Sequence, residues 1–122
     1  EHAARAGTDL LYAGSDSVDA AAWYFGNSGG STQQVGTKQS NGWGLYDMTG
    51  NLHEWTWDWY DGGYYSISPG ADPEGPSSGS TRVGRGGYWL GEASGVRVSI
   101  RNSYAPGFRY NVIGFRLART AP

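Results

Sequence analysis

Cysteine is missing from all 122 residues, and with it go disulfide staples, thiolate nucleophiles and every cysteine-based metal site. Charge is scarce as well. Asp, Glu, Lys and Arg make up 16% of the chain and leave a net charge of −2, so the basic surplus that gathers nucleic acid or an anionic membrane surface is lacking. No apolar run approaches the roughly 20 residues of a membrane-spanning helix, and no signal-peptide pattern opens the chain. A serine nucleophile elbow, a phosphate-binding glycine loop and zinc-ligand spacing are likewise absent. These absences argue against nucleic-acid partners, membrane insertion and the commoner hydrolytic chemistries.

Glycine and aromatic rings are abundant instead: 21 Gly, 9 Tyr and 6 Trp. Such a load fits one domain over residues 1–122, in which much of the backbone is irregular and a few large rings fill the core. Glu1-His-Ala-Ala-Arg5 reads as the end of a helix closed by Gly7 in the left-handed region, and Glu1 in place of an initiator methionine reads as a start inside a longer product. Asp16 or Ser17 caps a second short helix that runs toward Trp23, with Trp23 and Tyr24 turned inward. Asn27 to Asn41 is a loop rich in Gly, Ser and Gln.

Asn51 to Tyr60 reads as a strand. Trp55, Trp57 and Trp59 share one face with His53, and Leu52, Glu54, Thr56 and Asp58 share the other; three indoles on one face are expected in the core. Asp61 to Thr81 is too rich in Pro and Gly for a helix or a central strand. Further strands are expected at Arg82–Trp89, Val96–Ile100 and Val112–Arg119. His53, facing away from Glu54 and Asp58, is read as structural, and Asp72 and Glu74 as solvated loop carboxylates rather than a glycosidase pair.

In the C-terminal third two kinds of position interleave. Arg, Gly, Trp, Pro and Phe recur as a grammar, and between them small, aromatic and aliphatic residues follow no hydrophobic period. The first kind reads as scaffold and the second as display. Planar guanidinium groups at Arg97, Arg101, Arg109 and Arg116 suit the tying of carbonyls and carboxylates beneath an irregular surface.

Three stretches, Asn41-Gly-Trp-Gly-Leu-Tyr-Asp-Met-Thr-Gly-Asn-Leu-His-Glu-Trp-Thr-Trp-Asp-Trp59, Arg82-Val-Gly-Arg-Gly-Gly-Tyr-Trp89 and Asn111-Val-Ile-Gly-Phe-Arg-Leu-Ala118, together with Glu1 to Thr8, resemble the formylglycine-generating-enzyme (sulfatase-modifying factor) family. The resemblance implies an α+β C-type lectin fold in that family's variant: a small, twisted, mostly antiparallel sheet, two short helices and extensive ordered loops, with the family's N-terminal strand and the start of its first helix falling before Glu1. The family's oxidase activity depends on a copper-binding cysteine pair, which this chain lacks. Ergothioneine-type relatives use a three-histidine iron site, whereas only His2 and His53 exist here. Asp47, Gly50, Leu52 and Glu54 match a calcium position of the family, offering two carboxylates and two carbonyls to a cation that takes several hard oxygens. The other reading of the same residues is an Asp-capped turn followed by a strand bearing a paired Glu. No cofactor is otherwise required.

The pattern Arg-Gly-Gly-x-Trp, Arg-Val-Ser-x-Arg, Pro-x-x-Arg and Ile-Gly-Phe-Arg is similar to that of the variable proteins of diversity-generating retroelements, whose gap positions derive from Asn codons mutated at adenine. Mutating AAC at its adenines cannot produce Lys, Glu, Gln, Met or Trp. The gap positions over 88–112 are Tyr88, Leu90, Gly91, Gly95, Val96, Ile100, Asn102, Ser103, Tyr104, Ala105, Phe108, Tyr110, Asn111 and Val112, and none holds one of those five residues. Tyrosine adds contact area at little entropic cost, as a binding face requires. The resemblance implies a ligand-binding protein without catalytic residues, whose partner is a macromolecule, a protein or surface structure, at a cell or phage surface. Two alternatives stay open: a formylglycine-family homologue with a small-molecule pocket or activity on the same face, and an interaction module of a larger protein.

Overall fold

A computed structural model describes residues 1–71 and 73–118; Asp72 and Arg119 lie outside them. Helix α1 spans His2–Arg5 and closes at Ala6, which takes the left-handed conformation (φ 49°) ahead of Gly7 (φ 80°). Helix α2 spans Val18–Ala21 behind Ser17. Asp16 does not cap it; its carboxylate instead accepts the Leu11 N–H at 2.9 Å.

Strands β1 (His53–Trp59), β2 (Arg82–Arg85), β3 (Arg101–Tyr104) and β4 (Ile113–Gly114) form one mixed sheet in the order β3-β2-β1-β4. β2 runs antiparallel to both β1 and β3, with Gly84 opposite Trp55 on one side and Asn102 on the other. β4 pairs parallel to β1, His53 opposite Ile113. Short 3₁₀ turns at Tyr64–Ser66 and Ala93–Val96 punctuate the loops.

Three expectations about these elements are corrected. The predicted strand at Val96–Ile100 is the end of a 3₁₀ turn followed by irregular chain, and the third strand forms a few residues later at Arg101–Tyr104. Among the described residues, the strands expected at Arg82–Trp89 and Val112–Arg119 pair only over Arg82–Arg85 and Ile113–Gly114. Gly86 and Gly87, both at positive φ, turn the backbone off the ladder after Arg85. The indole face is not core either: Trp57 is 84% exposed. Between the pairs Trp55–Gly84 and Trp59–Arg82 the β1 side carries extra residues, and such a bulge breaks the simple alternation. The Arg82 guanidinium lies over the rings of Trp57 and Trp59, with 5.1 and 3.6 Å to their centroids, and donates to the Trp57 carbonyl.

The apolar core is built from small side chains. One cluster joins Tyr12, Ala21, Ala22 and Val96, the other Ala4, Ala13 and Val98. Backbones therefore approach closely, and buried Asn41 and Ser28 hold them: Asn41 donates to the Ala3 and Ala4 carbonyls and accepts the Trp43 and Leu45 N–H groups, while Ser28 donates to the Trp89 carbonyl.

One such approach is at Gly87 (φ 76°), where a Cβ would stand 2.6 Å from the Gly95 carbonyl oxygen and from Val96 Cα. Gly87→Ala combines left-handed strain with a backbone clash and should cost about 3 kcal/mol or more. Gly107 has open space around its Cβ position and no positive φ, so Gly107→Ala should fall within about 0.5 kcal/mol of wild type. Urea unfolding of the two variants checks the contrast.

Candidate functional site

The display segment is tied down at several points before any of its side chains reaches solvent. Arg85, at the end of β2, donates to the Ser99 and Ile100 carbonyls at 3.1 and 2.5 Å and pairs with Glu1 at 2.8 Å. The Trp89 indole N–H donates to the Asn111 carbonyl at 3.0 Å, spanning the segment from one end to the other. At the far side Arg116 holds Glu54 through two hydrogen bonds of 3.0 and 2.8 Å and donates to the Tyr46 carbonyl at 2.8 Å. The clamping expected of Arg116 is found. Arg101 instead stacks near the rings of Tyr60 and Tyr65, and Arg97 and Arg109 make no side-chain hydrogen bond among the described residues. Arg85, which the sequence reading left unassigned, takes the larger part.

An aromatic row rises from this frame. His53, fully buried, lies 4.9 Å from the Tyr88 ring and 5.6 Å from Tyr104. The edge of Trp55 meets Tyr104 at 5.9 Å, Phe108 stacks on Tyr104 at 5.0 Å with 17° between planes, and Tyr110 follows at 5.9 Å. Exposure grows along the row, from half-buried Tyr104 to Tyr110 at 66%. Offset aromatic stacks of this kind hold their geometry without a core around them. Tyr104 also covers Gly84, whose Cβ would stand 2.9 Å from its ring, so Tyr104 is part scaffold and part surface.

The remaining candidates divide. Leu90, Ser103, Ala105 and Asn111 are exposed, and Gly91, Gly95, Ile100 and Asn102 are half-buried. Val96 and Val112 are corrected: at 0% and 7% exposure they belong to the interior. Val96 packs with Tyr12, Ala21 and Ala22, and the Val112 carbonyl accepts the His53 N–H at 2.9 Å.

Asp47, Gly50, Leu52 and Glu54 do converge, on a cleft of about 520 Å³ closed on the far side by Arg116. Three of their carboxylate oxygens already accept hydrogen bonds. Both Glu54 oxygens accept from Arg116, and one Asp47 oxygen accepts the Gly36 N–H at 2.7 Å. Hydrogen bonding to Glu54 raises the proton affinity of the Arg116 guanidinium further, so a charged guanidinium occupies the carboxylate that a calcium ion would use. Glu54 is thus a paired carboxylate, as the second reading of these residues has it.

His53 and Glu54 serve opposite sides of β1, as expected: Glu54 faces Arg116, and the His53 ring faces Asn102 and the Gly87 N–H. Glu74 is exposed beside a second cleft lined by Trp57, Trp59 and Arg82. Among the described residues no three His, Cys, Asp or Glu side chains gather as a metal site.

Over residues 1–121 the chain matches the family described as the sulfatase-modifying factor enzyme 1-like domain. It belongs to that family. A formylglycine-generating enzyme of Streptomyces coelicolor is 42% identical to this sulfatase-modifying factor-like chain over 94 residues, which cover 75% of the chain and 30% of the enzyme. Among solved structures, Treponema denticola variable protein 1 superposes with a TM-score of 0.82 at 40% identity, over 93% of this chain and 42% of that one. PvdO from Pseudomonas aeruginosa follows the same fold at a TM-score of 0.77 and 29% identity, over 93% and 47%. The chain thus spans less than half the length of each. The α+β, formylglycine-generating-enzyme-like variant of the C-type lectin fold and the likeness to a variable protein both stand as the sequence implies.

Burial pushes the His53 imidazole below the ordinary histidine range, partly offset by the Arg85 carbonyl. The unfolded chain therefore takes up this proton more readily than the folded one. The stability carried by the neutral ring is whole above about pH 6.5 and drains as pH falls below it. Thermal melts at about pH 7.5 and pH 5 should show a loss at the lower value that is smaller in His53→Phe; an equal loss in both proteins would assign the effect to other groups.

Proposed function

We propose that this chain is a non-catalytic, ligand-binding protein whose C-terminal residues are diversified by a retroelement, and that its exposed aromatic row meets a macromolecular ligand at the surface of a cell or a phage particle. The observation that carries the reading is the row itself. Phe108 at 38% and Tyr110 at 66% exposure stand outside the core, Phe108 stacked on Tyr104 and Tyr110 tilted against Phe108, while the arginine and tryptophan clamps that hold the backbone lie at other positions. Rigid aromatic anchors on an independent frame are how selected binding surfaces combine area with low entropic cost.

The small-molecule alternative asks for a pocket on that face. Small ligands are buried in concave sites, yet the clefts beside Asp47, Trp57 and Tyr64 are lined by none of the display candidates. The lack of cysteine removes the copper-dependent oxidation expected of the enzyme class.

The decisive observation is in the gene. Codons for the exposed and half-buried display positions should all end in C, and a near-copy of the segment carrying AAC at those positions should lie beside a reverse transcriptase. Ordinary codon usage with no such copy would sink the diversification reading and leave a fixed surface.

The fold is further proposed to need no resident ion, calcium included, because Arg116 supplies the positive charge that Glu54 faces. Melting temperatures with excess calcium and with a chelator should agree to within about 2 °C; a calcium-dependent rise well beyond that would show an ion displacing Arg116.

A further inference from the structure

Beneath the display segment, both ring nitrogens of fully buried His53 face hydrogen-bonding partners. On one side the Gly87 N–H donates to Nδ1 at 3.2 Å, and the Arg85 carbonyl lies 3.4 Å from the same nitrogen. On the other side the amide nitrogen Nδ2 of Asn102 stands 3.0 Å from Nε2. A neutral imidazole has one N–H and one lone pair, so Nδ1 serves Gly87 or Arg85 but never both at once. With the proton on Nε2, the ring accepts from Gly87 and donates to the amide oxygen of Asn102. With the proton on Nδ1, it donates to Arg85 and accepts from the amide N–H of Asn102. The first form satisfies the buried Gly87 N–H through the shorter contact, and an unpaired buried N–H is costly. With Nδ2 facing Nε2, Asn102 suits the second form; a half-turn of the amide presents its oxygen instead, and because that keeps the Gly87 N–H paired, the first form is the resting one.

Position 102 is one of the residues exchanged on the reading proposed above. A buried partner fixed as a donor would strand its proton when a donor-only side chain arrived above it, and a fixed acceptor would fail beneath a carboxylate. Histidine exchanges the two roles by moving one proton, with no heavy atom displaced. We propose that His53 is a tautomeric adaptor, a positioning residue that lets position 102 carry acceptor-only, donor-only or mixed polar side chains without disturbing the floor of the binding face. Tyr88 and Tyr104 pack on the ring and keep its plane in place, while the Arg85 guanidinium is directed away, to Glu1 and to the Ser99 and Ile100 carbonyls. The inference rests on position 102 being exchanged, but the location of the proton is read without any ligand.

The test is long-range 15N–1H correlation NMR on histidine-labelled protein near pH 7.5, comparing wild type with Asn102→Asp, Asn102→Ser and Asn102→Arg. The proton should sit on Nε2 in wild type, in the Asp variant and in the Ser variant. Beside the carboxylate the ring's titration midpoint should rise by about one pH unit or more. In Asn102→Arg, which only donates, the proton should move to Nδ1, and all four proteins should melt within about 5 °C of one another. A proton on the same nitrogen throughout overturns the adaptor. So does loss of the fold in Asn102→Arg with Asn102→Asp intact, because the floor then serves acceptors alone. Should the codon test fail while the proton moves as described, the adaptor stands as a property of the fold and the diversification reading falls; the reverse pair of results removes only the adaptor.

Discussion

One buried asparagine joins parts of the chain that no sheet reaches. Asn51 sits at φ 63°, a left-handed conformation that asparagine tolerates better than most residues. Its N–H donates to the Trp23 carbonyl at 2.7 Å, and its carbonyl accepts the Trp89 N–H at 2.9 Å. Its side-chain amide pairs in both directions with the backbone of Gln33, at 3.0 and 3.1 Å. Gly50 beside it (φ 77°) donates to the Gly86 carbonyl and leaves no room for a Cβ, which would stand 2.4 Å from the Trp23 oxygen. This junction fixes the angle at which β1 enters the sheet, and hence where His53 lies beneath the aromatic row.

Side-chain amides and guanidinium groups take over much of the work that longer ladders do elsewhere. The sheet contributes few paired residues, and the apolar clusters are mostly alanine and valine. Asn41, Asn51, Arg85 and Arg116 each satisfy several backbone carbonyls, N–H groups or carboxylates, so loops rich in glycine and serine keep their backbone groups paired. The division of labour is spatial. Groups that hold the frame point inward or along it, and Phe108 and Tyr110 stand outside it.

Much of this was legible in the residues, for identifiable reasons. The Asn41–Trp59 and Arg82–Trp89 stretches carried the fold through a resemblance specific in its glycine and aromatic spacing. The parity of β1 correctly set His53 apart from Glu54. The same parity misplaced Trp57, because a bulge is a property of pairing between two strands and leaves no mark in either one alone. Val96 and Val112 looked like display positions by spacing, yet a valine inside an irregular segment carries no period to reveal which way it faces. Arg85 was hidden in a glycine-rich run whose turn, at Gly86 and Gly87, decides what its guanidinium can reach.

The clasp between Glu54 and Arg116 also bears on how the chain reaches its fold. Its partners are 62 residues apart in sequence, and the parallel pairing of β1 with β4 closes the same long loop. Folds dominated by such distant contacts are slow to form, since closure entropy is lost before the contacts return anything. The residues on the outer side of that loop add little to its closing, so exchanging them should act mainly on the unfolding rate and leave the folding rate nearly constant. Chains that differ only along the aromatic row would then share a single kinetic route and differ in how long the finished structure lasts.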